Sequence, residues 1–118
     1  YVYEPDRAII RAHLVEQVAA SIDAQKIAAD VAYLTSKHRV ESTYVRGFRV
    51  EEVMDFSLRR VQSYVSAQGI GRLDIKKRRF PMTPDEVFGK LKLKGSNRAT
   101  LILTRVDEDP VAIFCQPI

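Results

Sequence analysis

Between Phe56 and Val87 the chain carries its own punctuation, and that punctuation limits how it can fold. Ser57 is placed to cap a helix, Phe56 before it can pack on Val61 one turn in, and Leu58, Val61 and Val65 form a buried stripe. Gly69 supplies the left-handed residue that closes such a helix, and Ile70 the apolar contact back to its last turn. In "RLDIKKRRF" Leu73 and Ile75 then point one way and Asp74 and Lys76 the other, which is the period of a strand. Phe80 and Pro81 end it. Thr83-Pro84-Asp85-Glu86 combines a capping box with proline at the first helical position, and Met82 and Val87 form the staple of a helix running to about Leu91.

The rest of the chain is read around this segment. Ile10, Leu14, Val18 and Ile22 recur at intervals of four behind Pro5, which predicts one helix over residues 5–22. "DVAYLT" predicts a strand over residues 30–35, and the polar residues 36–47 a loop. Period-two alternation predicts a strand over residues 48–55, and the β-rich runs 100–106 and 111–116, separated by "DEDP", an antiparallel hairpin. The order α, β, β, α, β, α, β, β predicts an α+β class: a mixed sheet of four to five strands, helices packed mainly on one face, and a C-terminal β-hairpin. Strand, helix and strand over residues 48–80 should form a right-handed crossover with two parallel strands. Strand order stays open.

With 118 residues, 46% of them hydrophobic and 29% charged, the chain suits a single domain over residues 1–118 with one modest core. Its apolar runs are short and no signal-peptide pattern opens it, so a soluble, cytoplasmic protein without membrane partners is expected. The single cysteine, Cys115, has no disulfide partner and lies in an apolar run where a buried thiol fits. Because the sequence opens on "YVYEPD" rather than Met, we expect a domain excised from a longer chain.

Catalytic and metal-binding patterns are absent. His13 and His38 have no carboxylate or cysteine at ligand spacing, and Ser57 and Ser66 have no neighbouring base. Glu51, Glu52 and Asp55 read as a solvated strand end, since consecutive carboxylates on a strand point to opposite faces. Gly69 and Gly71 follow a helix and precede a strand, the reverse of a phosphate-cradling loop. "IGRL" lacks the second glycine of a KH loop, and no RNP-type aromatic sequence is present.

Charge is the remaining signal. Residues 72–98 hold nine cations and three anions, a balance of +6, whereas the remainder holds ten cations and twelve anions, a balance of −2. Clustered positive charge attracts polyanions through steering and counterion release. Lys76, Lys77, Arg78 and Arg79 form the first basic segment; in the second, "KLKLKGSNR", Lys90, Lys92 and Lys94 alternate with Leu91 and Leu93 and would share one side of an extended chain. Both flank the third predicted helix and can converge on one edge. The plainer readings are a solvated face, or lysines that protect an edge strand from aggregation.

The segments "VAYLTS", "FRVEEVMDFSLRRVQSYVSAQGIGRLDIKKRRFPMTPDEVFGKLKLKG" and "ATLILTRVDEDPVAIFC", behind "YVYEPDRAIIRAHLVE", give the chain a family likeness. Over almost its whole length it resembles the THUMP-like domain at the C-terminal end of a bacterial family of class I S-adenosylmethionine-dependent methyltransferases. The resemblance implies a methyltransferase core before Tyr1, with S-adenosylmethionine bound there and no cofactor in this chain. It also implies an accessory role in holding RNA, transfer or ribosomal, by analogy with true THUMP domains. The residues expected to contact phosphates are Lys76, Lys77, Arg78 and Arg79, supported by Lys92, Lys94 and Arg98. The competing expectation is a protein-interaction or structural domain that docks on the catalytic core, or dimerises through the hairpin edge, with its cations merely solvated. Oligomeric state stays open.

Overall fold

Strand β1 (Val2–Pro5) opens the chain where the sequence predicts the approach to a helix. A computed structural model describes residues 1–118, and its backbone contacts divide into two compact units: Tyr1–Val50 with Pro117–Ile118, and Glu51–Gln116.

In the first unit, β1 is followed by α1 (Arg7–Arg11), α2 (Val15–Ser21), β2 (Gln25–Ala28), β3 (Val31–Thr35) and the start of β4 (Val45–Asp55). β1 pairs antiparallel with both β3 and β4, Tyr3 lying opposite Leu34 on one side and Gly47 on the other. The single helix expected over residues 5–22 is therefore corrected to a strand and two short helices. Val2 and Tyr3 are buried between their neighbours, so ladder pairing takes this segment, and Pro5 ends the strand opposite Val45. Helix begins only when the Asp6 carbonyl accepts from the N–H groups of Ile9 and Ile10. It breaks at His13, whose φ of 58° is left-handed. The break rotates the buried face: Val18 and Ile22 stay in the core, Leu14 turns out to 40% exposure, and Ile9 and Val15 pack against the cluster that Val18 and Ile22 form with Tyr3, Ala19 and Leu34.

β2 is a strand that the sequence does not announce. "QKIA" is short and follows a left-handed Asp23, and the pairing of β2 with β3 shifts register between Lys26 and Ala28. The loop after β3 is held by the buried Tyr3, whose hydroxyl donates to the His38 carbonyl at 2.7 Å and accepts from the Val40 N–H at 2.8 Å. A buried phenol satisfied in this way fixes the loop at little cost.

The second unit holds the end of β4, α3 (Leu58–Ala67), β5 (Ile70–Lys77), α4 (Pro84–Lys90), β6 (Asn97–Val106) and β7 (Asp109–Pro117). Here the punctuation acts as written. Ser57 Oγ accepts from the Arg60 N–H, Gly69 adopts φ 62°, and Thr83 and Glu86 exchange both capping-box hydrogen bonds, at 3.1 and 3.2 Å. Val61, Val65 and Val87 are fully buried and cluster with Leu101, Leu103, Ala112 and Phe114, so both helices cover one face of these strands. Each such side chain contributes about 1.5–3 kcal/mol of burial. The Phe56 and Phe80 rings meet edge to face at 4.8 Å, closing the core where α3 begins and β5 ends. The other face of β6 and β7 is buried as well, at Ile102, Ile113 and Cys115.

In the first unit the strands follow the order β2-β3-β1-β4, and in the second β4-β7-β6-β5. The mixed α+β class stands, but there are seven strands rather than four or five, because β1 and β2 arise in segments where the sequence predicts no strand. β6 and β7 form the expected hairpin, tightened so that Val106 pairs with Asp109. The parallel pair is β5 with β6, joined through α4, whereas β7 and β6 lie between β4 and β5. No helix is long and apolar enough to cross a membrane.

Candidate functional site

β5 separates the two basic segments of the second unit. At its far end Lys76 and Lys77 stand in register with Ile102 and Leu103, and the Arg78 N–H still donates to the Leu103 carbonyl at 3.0 Å. Arg79 then takes a left-handed φ of 58°, and Phe80 dives back into the core. The four cations are thus the end of an edge strand and the turn that leaves it. Strand alternation splits them: Lys76 points away from the face that holds Leu73 and Ile75, and Lys77 points toward it. Lys77 and Arg79 are exposed, while Lys76 and Arg78 are half-buried.

The second segment is held differently. After α4 the chain turns extended at Leu91, with φ −99° and ψ 145°. Leu91 and Leu93 pack against the core, and Lys92 and Lys94 project outward, the alternation that the sequence predicts. No strand pairs with this segment; a side chain does so instead. Gln62 on α3 accepts from the Lys92 N–H through Oε1 at 2.8 Å and donates through Nε2 to the Lys92 carbonyl at 2.9 Å. The same Nε2 donates to Ser66 Oγ at 2.9 Å. Lys90, Lys92 and Lys94 face Gln62 and Ser66 across an open groove of about 580 Å³.

Glycines anchor the far end of this segment. A Cβ on Gly71 would lie 2.0 Å from the Gly95 carbonyl oxygen, and one on Gly95 2.2 Å from that of Gly69, so only glycines allow these backbones to touch. The Asn97 N–H donates to the Gly69 carbonyl at 3.0 Å, which starts the pairing of β5 with β6. Gly69 and Gly71 therefore do more than stop a helix. They bind the lysine segment to the start of β5.

Arg98 is exposed beside this anchor, in register with Arg72 across β5 and β6. From Arg72 to Lys77 the strand advances roughly 16 Å. The sequence-predicted residues therefore form two groups, Lys76 to Arg79 at one end of β5 and Lys92, Lys94 and Arg98 at the other, rather than one convergent patch. The structure adds Arg72 and Lys90 to the second group, together with Gln62 and Ser66. Only the helical phase of Gln62 and Ser66, one turn apart, hinted at their common face.

The buried groups of this unit favour their neutral forms. Cys115, its thiol 3.6 Å from the Thr100 carbonyl, is pushed up to about 12, first by burial and then by Glu51. Tyr64 lies 4.2 Å from the Phe114 ring and is also raised, by burial first and then by Glu51 and Glu52. Neither is an activated nucleophile. No ion pair neutralises Lys90, Lys92 or Lys94; among the surface pairs are Arg39 with Glu41, Arg60 with Asp55 and Arg105 with Glu108.

Comparison with known proteins places this arrangement. Over 121 residues the chain is 29% identical to the uncharacterized S-adenosylmethionine-dependent methyltransferases MT3122 and Rv3037c of two Mycobacterium tuberculosis strains, CDC 1551 / Oshkosh and ATCC 25618 / H37Rv; the match covers 99% of this chain and 33% of each relative. The chain thus spans about a third of the length of the curated relatives it matches. The crystal structure of a provisionally named methyltransferase from Porphyromonas gingivalis W83 superposes with a TM-score of 0.82 at 26% identity, covering 98% of this chain and 29% of that one. The family model described as THUMP domain-like matches residues 45–117, from the first residue of β4 to the last of β7, and includes both basic segments. The chain belongs to the THUMP domain-like family.

Proposed function

We propose that this chain is an accessory domain of a cytoplasmic S-adenosylmethionine-dependent methyltransferase, and that it holds RNA while another part of the protein binds the cofactor and transfers the methyl group. Kinship to methyltransferases three times as long supports the accessory role. The observation that carries the RNA reading is the segment of residues 90–94, three lysines without ion-pair partners on a backbone clamped by Gln62. Lysines on a backbone that is already fixed lose less freedom on binding than lysines on a mobile one, since only their side chains remain to be ordered. Lys76, Lys77, Arg78 and Arg79 extend the positive field along β5, and Arg98 and Arg72 widen it at the near end. These contacts position a phosphate backbone and read no sequence.

The test is binding of the chain to a transfer-RNA pool and to heparin across a salt series. Folded RNA should bind more tightly than heparin, and Lys92→Glu with Lys94→Glu should weaken RNA binding at least tenfold. Equal, weak binding to both polyanions, unmoved by these substitutions, would reduce the cations to a solvated surface.

A further inference from the structure

We infer that the groove between α3 and residues 90–94 is a seat for consecutive phosphates of a single-stranded RNA segment, with Gln62 as its positioning residue and Ser66 as its neutral donor; this rests on the RNA-holding reading above. Lys92 and Lys94 lie two residues apart on an extended chain, about 6.6 Å at strand rise, which matches the repeat of an extended nucleotide backbone. Lys90, at the end of α4, continues the line. A single file of cations suits one strand. A duplex presents two phosphate rows, of which one file of lysines can engage only one, whereas a flexible single strand can bring consecutive phosphates down into the groove.

The polar wall completes the seat. Both Nε2 hydrogens of Gln62 are engaged, one by the Lys92 carbonyl and one by Ser66 Oγ, and its Oε1 accepts from the Lys92 N–H. Gln62 thus has no donor left for a ligand and acts only through the backbone it clamps. Ser66 accepts from Gln62, and its own O–H hydrogen remains available to donate to an anion in the groove. The residues that line the groove include no aromatic side chain, so it takes phosphates rather than stacked bases.

The experiment titrates the chain with a labelled single-stranded oligo-uridylate, a duplex RNA of equal length, and heparin, across a salt series. Single strand should bind more tightly than duplex. Lys90→Ala with Lys92→Ala and Lys94→Ala should lower the single-strand salt slope by about 2, three contacts at about 0.7 each. Gln62→Leu keeps every charge and should weaken single-strand binding at least threefold, and Ser66→Glu, an exposed substitution that spares the fold, at least tenfold. If Gln62→Leu loses the native circular-dichroism melt, Ser66→Glu decides the outcome alone. Undiminished single-strand binding by the groove variants, with loss on Lys77→Glu and Arg79→Glu, would overturn the groove and leave the RNA reading standing. Tighter binding to duplex than to single strand would also overturn it. No preference of the chain for either RNA over heparin would overturn both.

Discussion

The two ends of β5 carry similar charge and are built in opposite ways. At one end Lys76 and Lys77 sit in the ladder with β6, the Arg78 N–H adds one more backbone hydrogen bond, and the chain then leaves the edge through a left-handed Arg79. At the other, three lysines ride on a segment held by the Leu91 N–H donating to the Phe88 carbonyl at the end of α4, a glutamine amide and a contact between glycine backbones. Counting charge would rank the first end higher. The groove ranks the second end higher, because there the lysines line a cleft together with Gln62 and Ser66, on a backbone that is already in place when an anion arrives.

Four measurements sharpen or break that contrast. The largest effect is expected from Gly71→Ala, which drives a Cβ into the Gly95 carbonyl: denaturant unfolding should show a loss of about 3 kcal/mol or more, and an effect below about 1 kcal/mol would mean that the glycine contact is not the anchor. Next is the core beneath both ends. Cys115 keeps its proton in the fold well above its ordinary 9.0, so the folded state binds more protons than the unfolded one between pH 9 and about 12. Stability should therefore be unaffected below pH 9 and fall above it by up to about 1.4 kcal/mol per pH unit from this group. A thiol reagent should reach Cys115 only on unfolding; rapid labelling of the native chain at pH 8 would contradict its burial.

The third measurement concerns α4, which hands the chain from one basic end to the other. Thr83→Ala removes the acceptor of the capping box and should cost about 1 kcal/mol in thermal or chemical unfolding. The smallest effect is expected at Arg79, where a left-handed residue carries a side chain. Arg79→Gly relieves the φ of 58° and restores chain entropy to the unfolded state, so the net change should stay within about 1 kcal/mol. A loss as large as that of Gly71→Ala would show that the first end is as tightly built as the second.

Much of the second unit was legible because its signals are local. Ser57, Gly69 and the Thr83 to Glu86 box each act within one turn, and the structure uses every one of them. The first unit misled for a physical reason. Ile10, Leu14, Val18 and Ile22 have helical spacing, but the burial of Val2 and Tyr3 between β3 and β4 and the turn at His13 outweigh it. Propensity and spacing are weak against ladder pairing in a core. Beyond the helical phase that Gln62 shares with Ser66, its clamp had no sequence signal, since its partner is a backbone thirty residues away in the chain.

By itself, the sequence determined the α+β class, the caps and boundaries of α3 and α4, the C-terminal hairpin, the two basic segments and the outward alternation of Lys92 and Lys94. These follow from interactions between residues a few positions apart, which any fold containing the segment must satisfy. Tertiary structure alone decided that β1 and β2 are strands, that β5 pairs parallel with β6, that the cations divide between two ends of one strand, and that Gln62 and three glycines fix the lysine segment. Each of those depends on which distant backbones come within hydrogen-bond or van der Waals reach, and local pattern carries no record of that.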